Sequence, residues 1–189
     1  MLKEIITETT DAVVAAVKGT DNIMSAVTGT VKNQIVNVFK GVGEVGSAGI
    51  ESVSSVVSGA IRGAGQVGTT VTEVTQEVVH SAVVGVSQVG GDVIAAAQEA
   101  THGAVTAAAE TGGDIAGTAV SAVKGAIVAA GEVGADTAEA AKSAVGGALD
   151  AATSVGGDAV GTVREALLES AALPRDVIES AVKGHQDKK

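Results

Sequence analysis

Four aspartates, Asp92, Asp114, Asp136 and Asp158, recur every 22 residues. Each closes a short phrase: Val-Gly-Gly-Asp at 89–92, Thr-Gly-Gly-Asp at 111–114, Val-Gly-Ala-Asp at 133–136 and Val-Gly-Gly-Asp at 155–158. Carboxylates set beside glycine suit two tasks, calcium ligation or the capping of helix N-termini. Calcium needs six or more oxygens converging on one point, and one aspartate per repeat among Ala and Gly does not supply them, so these residues read as caps or solvated positions. His80 and His102 are also 22 residues apart. On one helix about 33 Å would separate them, too far to share a metal. Gly41-Val42-Gly43-Glu44-Val45-Gly46 has the spacing of a dinucleotide-binding turn but follows no strand pattern. The serines lie in no Gly-x-Ser-x-Gly setting, and no triad or paired-carboxylate cleft can be drawn. No residue is therefore assigned as catalytic, cofactor-binding or metal-binding, and the expectation is a protein that is not an enzyme.

The elements that must carry these residues are constrained by composition. Among 189 residues there are 26 Gly, one Phe, and no Trp, Tyr or Cys, while 46% are hydrophobic, chiefly Ala and Val. Such a chain cannot build a core from large side chains; it has to bring backbones close together or lay a shallow face on another surface. The absence of Cys excludes disulfides and thiolate sites. A formal net charge of −10 argues against nucleic-acid partners, which need clustered Lys and Arg. The start, Met1 to Glu8, is too short in apolar residues for a signal segment. No run reaches the roughly 18–20 apolar residues of a spanning helix; the most hydrophobic stretch, 119–131, contains Lys124. A cytoplasmic location, peripheral to a membrane or inclusion if it binds one, is the expectation.

The 22-residue period is two elevens. With residues 44–54 labelled a to k, position b reads Val45, Val56, Val67, Val78, Val89, Ala100, Thr111, Ala122, Val133, Ala144 and Val155. Position c alternates Gly and Val, broken at Thr101, and position e sets Gly103, Gly125 and Gly147 between the aspartates. Eleven residues make three turns of about 3.67 residues, close to an α-helix. On that helix i, b, f, j, c and g form one broad apolar face; a, d, e, h and k fall opposite, with Glu77, Glu99, Glu110, Lys124 and the aspartates. This is an amphipathic helical pattern. The fold class is all-α, long amphipathic helices on 11- and 22-residue repeats.

Three segments follow: an N-terminal helical segment, 1–43, with a bulkier apolar face (Ile23, Met24, Val27, Val31, Ile35, Val38, Phe39, Val42); the Ala/Val/Gly array, 44–164; and a C-terminal part, 165–189, with Leu167, Leu168 and Leu173. Thr9, Thr10 and Asp11 are candidate caps for a helix from Ala12. Pro174 should end or kink a helix, and a last helix, 177–183, would be capped by Asp176 and stop at Gly184. The Gly-Gly-Asp phrases admit short helices joined by turns, folded back as hairpins or a bundle. The apolar phase survives each phrase without insertion, which favours nearly continuous helices bent back at one or two places.

Segments such as Ala15-Ala16-Val17-Lys18-Gly19-Thr20 and residues 122–131, Ala-Val-Lys-Gly-Ala-Ile-Val-Ala-Ala-Gly, resemble the 11-residue amphipathic repeats of perilipins, synucleins and exchangeable apolipoproteins. The likeness runs from Asp11 to about Val163. Where synuclein repeats place paired Lys at the face boundary, this chain mostly has Glu, Ser and Gln. The resemblance implies a protein that becomes helical on a membrane, lipid or granule surface. The alternative partner for the same face is the chain itself, in a self-assembled bundle or filament with a right-handed twist. No cofactor, nucleic acid or small-molecule substrate is expected.

Overall fold

The computed structural model describes residues 2–18, 22–42 and 47–186. Nine α-helices account for nearly all of them: α1 Leu2–Lys18, α2 Ile23–Val42, α3 Ser47–Gln66, α4 Val71–Gln88, α5 Val93–Glu110, α6 Ile115–Glu132, α7 Thr137–Val155, α8 Ala159–Glu169 and α9 Arg175–Gln186. There is no strand among the described residues. Each helix packs on its neighbours in sequence and on the helix two places away, and on no others. The odd helices therefore stack as one layer and α2, α4, α6 and α8 as a second.

Within a layer the helices are parallel. Ser54 of α3 meets His102 of α5, and eight residues further along Arg62 meets Glu110, so the partner number rises in step. Between layers, connections of a few residues make consecutive helices antiparallel. Two helices form the repeating unit, so the 22-residue sequence period becomes a 44-residue structural one.

The preference for near-continuous helices is corrected: the chain turns at every Gly-Gly-Asp phrase. Gly68, Gly90, Gly112 and Gly134 adopt φ of +86°, +74°, +70° and +75°, the left-handed region that a side chain resists. After α4 the Gly90 N–H donates to Ser87 O (3.0 Å) and the Gly91 N–H to Val86 O (2.9 Å), the two reversed bonds of a Schellman ending. The same pair follows α3, α5 and α6, ending with Thr69 to Ala64, Gly113 to Ala108 and Ala135 to Ala130.

The aspartates then start the next helix. Asp92 Oδ1 accepts from the Ile94 and Ala95 N–H (2.9 and 3.0 Å), Asp114 from Gly117 (2.9 Å), and Asp136 from Ala138 and Glu139 (2.9 and 3.0 Å). The fourth differs. α7 runs on to Val155, Gly156 and Gly157 both take positive φ, and Asp158 makes no side-chain cap. Asp136→Ala should therefore lower unfolding free energy by about 1 kcal/mol, while Asp158→Ala leaves it within about 0.5 kcal/mol of wild type. Urea midpoints of the two variants distinguish them.

The core lies between the layers. In α5 the buried residues are Ala96, Ala97, Ala100, Thr101, Ala104, Val105, Ala107 and Ala108, positions i, j, b, c, f, g, i and j, together with Gly103. The apolar face read from the elevens is thus the core face. Position e departs from it, because Gly103, Gly125 and Gly147 are buried rather than opposite, and so do Ser55 and Ser58 of α3, buried at a and d. A Cβ added at these glycines would strike the backbone carbonyl oxygens of Ser54, Gln76 and Gln98. Each glycine admits a parallel neighbour 49 residues earlier, and the contact recurs three times at 22-residue intervals. At Gly59 the same obstruction comes from Ile6 O. Thr101, which broke the series at c, is fully buried with no partner for its hydroxyl.

The terminal parts correct the local expectations. α1 runs straight through Thr9, Thr10 and Asp11. Thr10 is buried instead, its hydroxyl donating to Ile6 O (2.8 Å) and lying 3.0 Å from Gly59 O. In α2, Val27, Val31, Ile35 and Phe39 are buried. Pro174 immediately precedes α9, where its missing N–H costs nothing. That helix starts at Arg175 and continues past Gly184 to Gln186. Leu167, Leu173, Ile178 and Val182 close the C-terminal end of the core.

Candidate functional site

The polar groups that the sequence singled out separate by layer. His80, on α4, points along the even layer to Glu132 of α6 (2.7 Å). His102, on α5, lies in the odd layer, with its Nδ1 3.4 Å from Ser54 Oγ of α3. The two histidines are not brought together. The aspartate ladder sits at the turns as helix caps. Among the described residues no three His, Asp or Glu side chains converge in a way that would hold a metal ion. Residues 43–46 of the Gly-x-Gly-x-x-Gly spacing lie outside the described residues; Gly41 and Val42 end α2, with no strand before them.

What the sequence reading missed is the odd layer's outer row. Parallel helices with a fixed stagger align residues about 48 apart, and that offset joins Ser54 to His102, Arg62 to Glu110, and Glu51 to Glu99. Asp150 continues the first series on α7. It stands near His102 and Glu99, and 3.6 Å from His185 Nε2 on α9. The signal was present as Ser54, His102 and Asp150 at equal spacing, but only the two-helix unit gives the number 48 a meaning.

Electrostatics along this row oppose one another. Burial holds the His102 imidazole below its ordinary 6.5, only partly offset by the Asp150 charge. Burial, with the neighbouring Glu51 and Asp150 carboxylates, pushes Glu99 above its ordinary 4.5. His102 is therefore neutral at neutral pH, with its Nδ1 and the Ser54 hydroxyl facing each other. Ser54 lies inside α3, whose backbone N–H groups are committed to the helix, and its own carbonyl is covered by Gly103.

The shifts fix a pH dependence. As pH falls below 6.5 the unfolded chain protonates at His102 first, so stability is lost until the lower folded value is passed. Closer to 4.5 the folded chain protonates at Glu99 first, and stability is regained. His102→Gln should flatten the first fall. Glu99→Gln should raise the denaturation midpoint near pH 7 and remove the later gain. Urea titrations at a series of pH values check both slopes.

Two open clefts flank this row. One, of about 560 Å³, lies between α7 and α9, with Gln98 of α5 beside it. The other, of about 470 Å³, surrounds Arg62 and Glu110. No protein-family model matches this sequence, and no curated protein matches it.

Proposed function

We propose that the chain is a non-catalytic structural protein whose Ala/Val/Gly face serves helix-on-helix packing, with the bundle built inside one chain. The observation that carries this reading is the threefold recurrence of glycine against a neighbour's carbonyl, at Gly103, Gly125 and Gly147. Those contacts add position e to the apolar face at i, b, f, j, c and g, which is already buried between the layers, so neither is left over for a surface. What the folded array leaves outside supports it further. The large apolar side chains exposed among the described residues are Leu2, Val128 and Val155, scattered rather than joined. Contrary to the expectation from the sequence, α6 is by length and composition apolar enough to cross a membrane, yet it has Lys124 in water and Ala119, Ala122, Val123, Ala126, Ala129 and Ala130 in the core. At the N-terminal end α1 exposes Lys3, Glu4, Thr7, Glu8, Asp11 and Lys18, the polar outer face that ends a helical array in water.

Coating a membrane, lipid or granule surface is the alternative, in line with the resemblance to perilipin-type repeats. It requires the layers to part, bringing residues such as Val74, Val78 and Val83, now fully buried, onto the surface. Circular dichroism separates the two readings. The packing reading expects full helicity in buffer, a light-scattering mass near one chain of 18.2 kDa, and no gain with neutral or weakly anionic vesicles. Weak helicity in buffer that rises sharply with vesicles would replace it with the coat. A mass of many chains would move the same packing between molecules.

A further inference from the structure

Adjacent glycines on α7 behave in opposite ways. A Cβ at Gly147 would run into Gln98 O of α5, whereas at Gly146 it would meet nothing within 4 Å, and the same holds at Gly184 on α9. Gly147 thus draws α7 against α5, while Gly146 and Gly184 leave space between α7 and α9. That space is the cleft of about 560 Å³, within the size range of small-molecule sites. Its chemistry is polarised along α7. Lys142 stands at one end, exposed and in no ion pair among the described residues. Eight residues on, about 12 Å along the helix, Asp150 stands at the other, with Glu99 near it. Beside Asp150, His185 has a buried Nε2 with no hydrogen-bond partner, 3.6 Å from the carboxylate and so beyond bonding distance. Ser180 contributes a hydroxyl to the α9 wall.

We propose that this cleft binds an extended dipolar ligand, with its carboxylate at Lys142, its ammonium at Asp150, and a slim chain crossing over Gly146. The shared chemistry is a carboxylate and an amine roughly 8–10 Å apart, as in an ω-amino acid or a short glycine-rich peptide spanning about 3.3–3.6 Å per residue. An apolar ligand would find no aromatic wall, and a simple anion or cation would satisfy one end and face repulsion at the other.

The test uses the full chain and isothermal titration with triglycine and 6-aminohexanoate, against N-acetyl-triglycine and triglycine amide, each blocked at one end. Saturable binding of at least one dipolar probe is expected, with each blocked triglycine bound about tenfold or more weaker than triglycine itself where the peptide is the ligand class. Binding by 6-aminohexanoate alone would identify the amino-acid class, and hexanoate and hexylamine then serve as its single-ended controls. Lys142→Ala should reduce binding about tenfold. Gly146→Leu should abolish it while helicity by circular dichroism stays at the wild-type level. Absence of saturable binding by both dipolar probes to the wild-type chain overturns the proposal. So does equal binding of single-ended and dipolar probes, or unchanged binding by well-folded Gly146→Leu.

Discussion

Gly147→Ala is expected to destabilise the protein by about 1–3 kcal/mol, the usual cost of forcing atoms into a filled interface, while Gly146→Ala should stabilise it by up to about 1 kcal/mol. The two residues are neighbours on α7, and the helix would gain equally from alanine at either. Their difference lies in what faces them. At Gly147 the new methyl meets the carbonyl oxygen and Cα of Gln98, backbone atoms that cannot rotate away. α5 and α7 would have to separate along their length, loosening contacts made by Ala144, Val145 and Ala148 as well. At Gly146 there is open space, so only the gain in helix propensity remains. Thermal or urea unfolding of both variants gives the answer, and equal shifts of the same sign would remove the close-approach account of position e.

The second large effect concerns the turns. Replacing Gly90, Gly112 and Gly134 together by Ala should cost about 3–6 kcal/mol, from about 1–2 kcal/mol for each side chain forced into the left-handed region. The three turns are separate in sequence, so the penalties should add approximately. Against a typical total stability of about 5–15 kcal/mol, the triple variant would be largely unfolded or would show a much lower urea midpoint. A chain whose helices ran straight through these phrases would respond in the opposite sense, because Ala in a helix interior improves on Gly by about 1 kcal/mol per site. The sign alone decides between the two conformations.

The same turns show why the sequence was readable in one respect and not in another. The apolar set i, b, f, j, c and g coincides with the buried residues of α4 to α7, because core burial follows helical periodicity whether the helix is long or short. The inference to continuity failed because an unbroken phase was taken as an unbroken helix. A helix of 18 residues plus a four-residue turn also occupies 22, so a connection of constant length leaves the pattern intact. Position e was misplaced for a related reason. A helical projection of one chain shows glycine on the polar side; only the parallel neighbour 49 residues away explains why Gly103, Gly125 and Gly147 are buried there. The row of Ser54, His102 and Asp150 was hidden likewise, since its spacing belongs to a pair of helices rather than to one. The caps at Thr9 to Asp11 and the stop at Gly184 were local signals overridden by packing, with Thr10 turned inward to Gly59 and α9 continuing through open space at Gly184.

Because each helix touches only those one or two places away, the chain never has to bring distant parts of itself together. Hydrogen-bonded partners such as Thr10 and Gly59, or His80 and Glu132, are separated by 49 and 52 residues, and among the described residues α1 makes no contact with α9. Such local wiring favours rapid folding. It also suits synthesis from one end: once α1 to α3 have left the ribosome, each new helix finds both of its earlier docking partners already in place. The nascent chain can therefore grow as a folded array, with little more than one two-helix unit unburied at any moment.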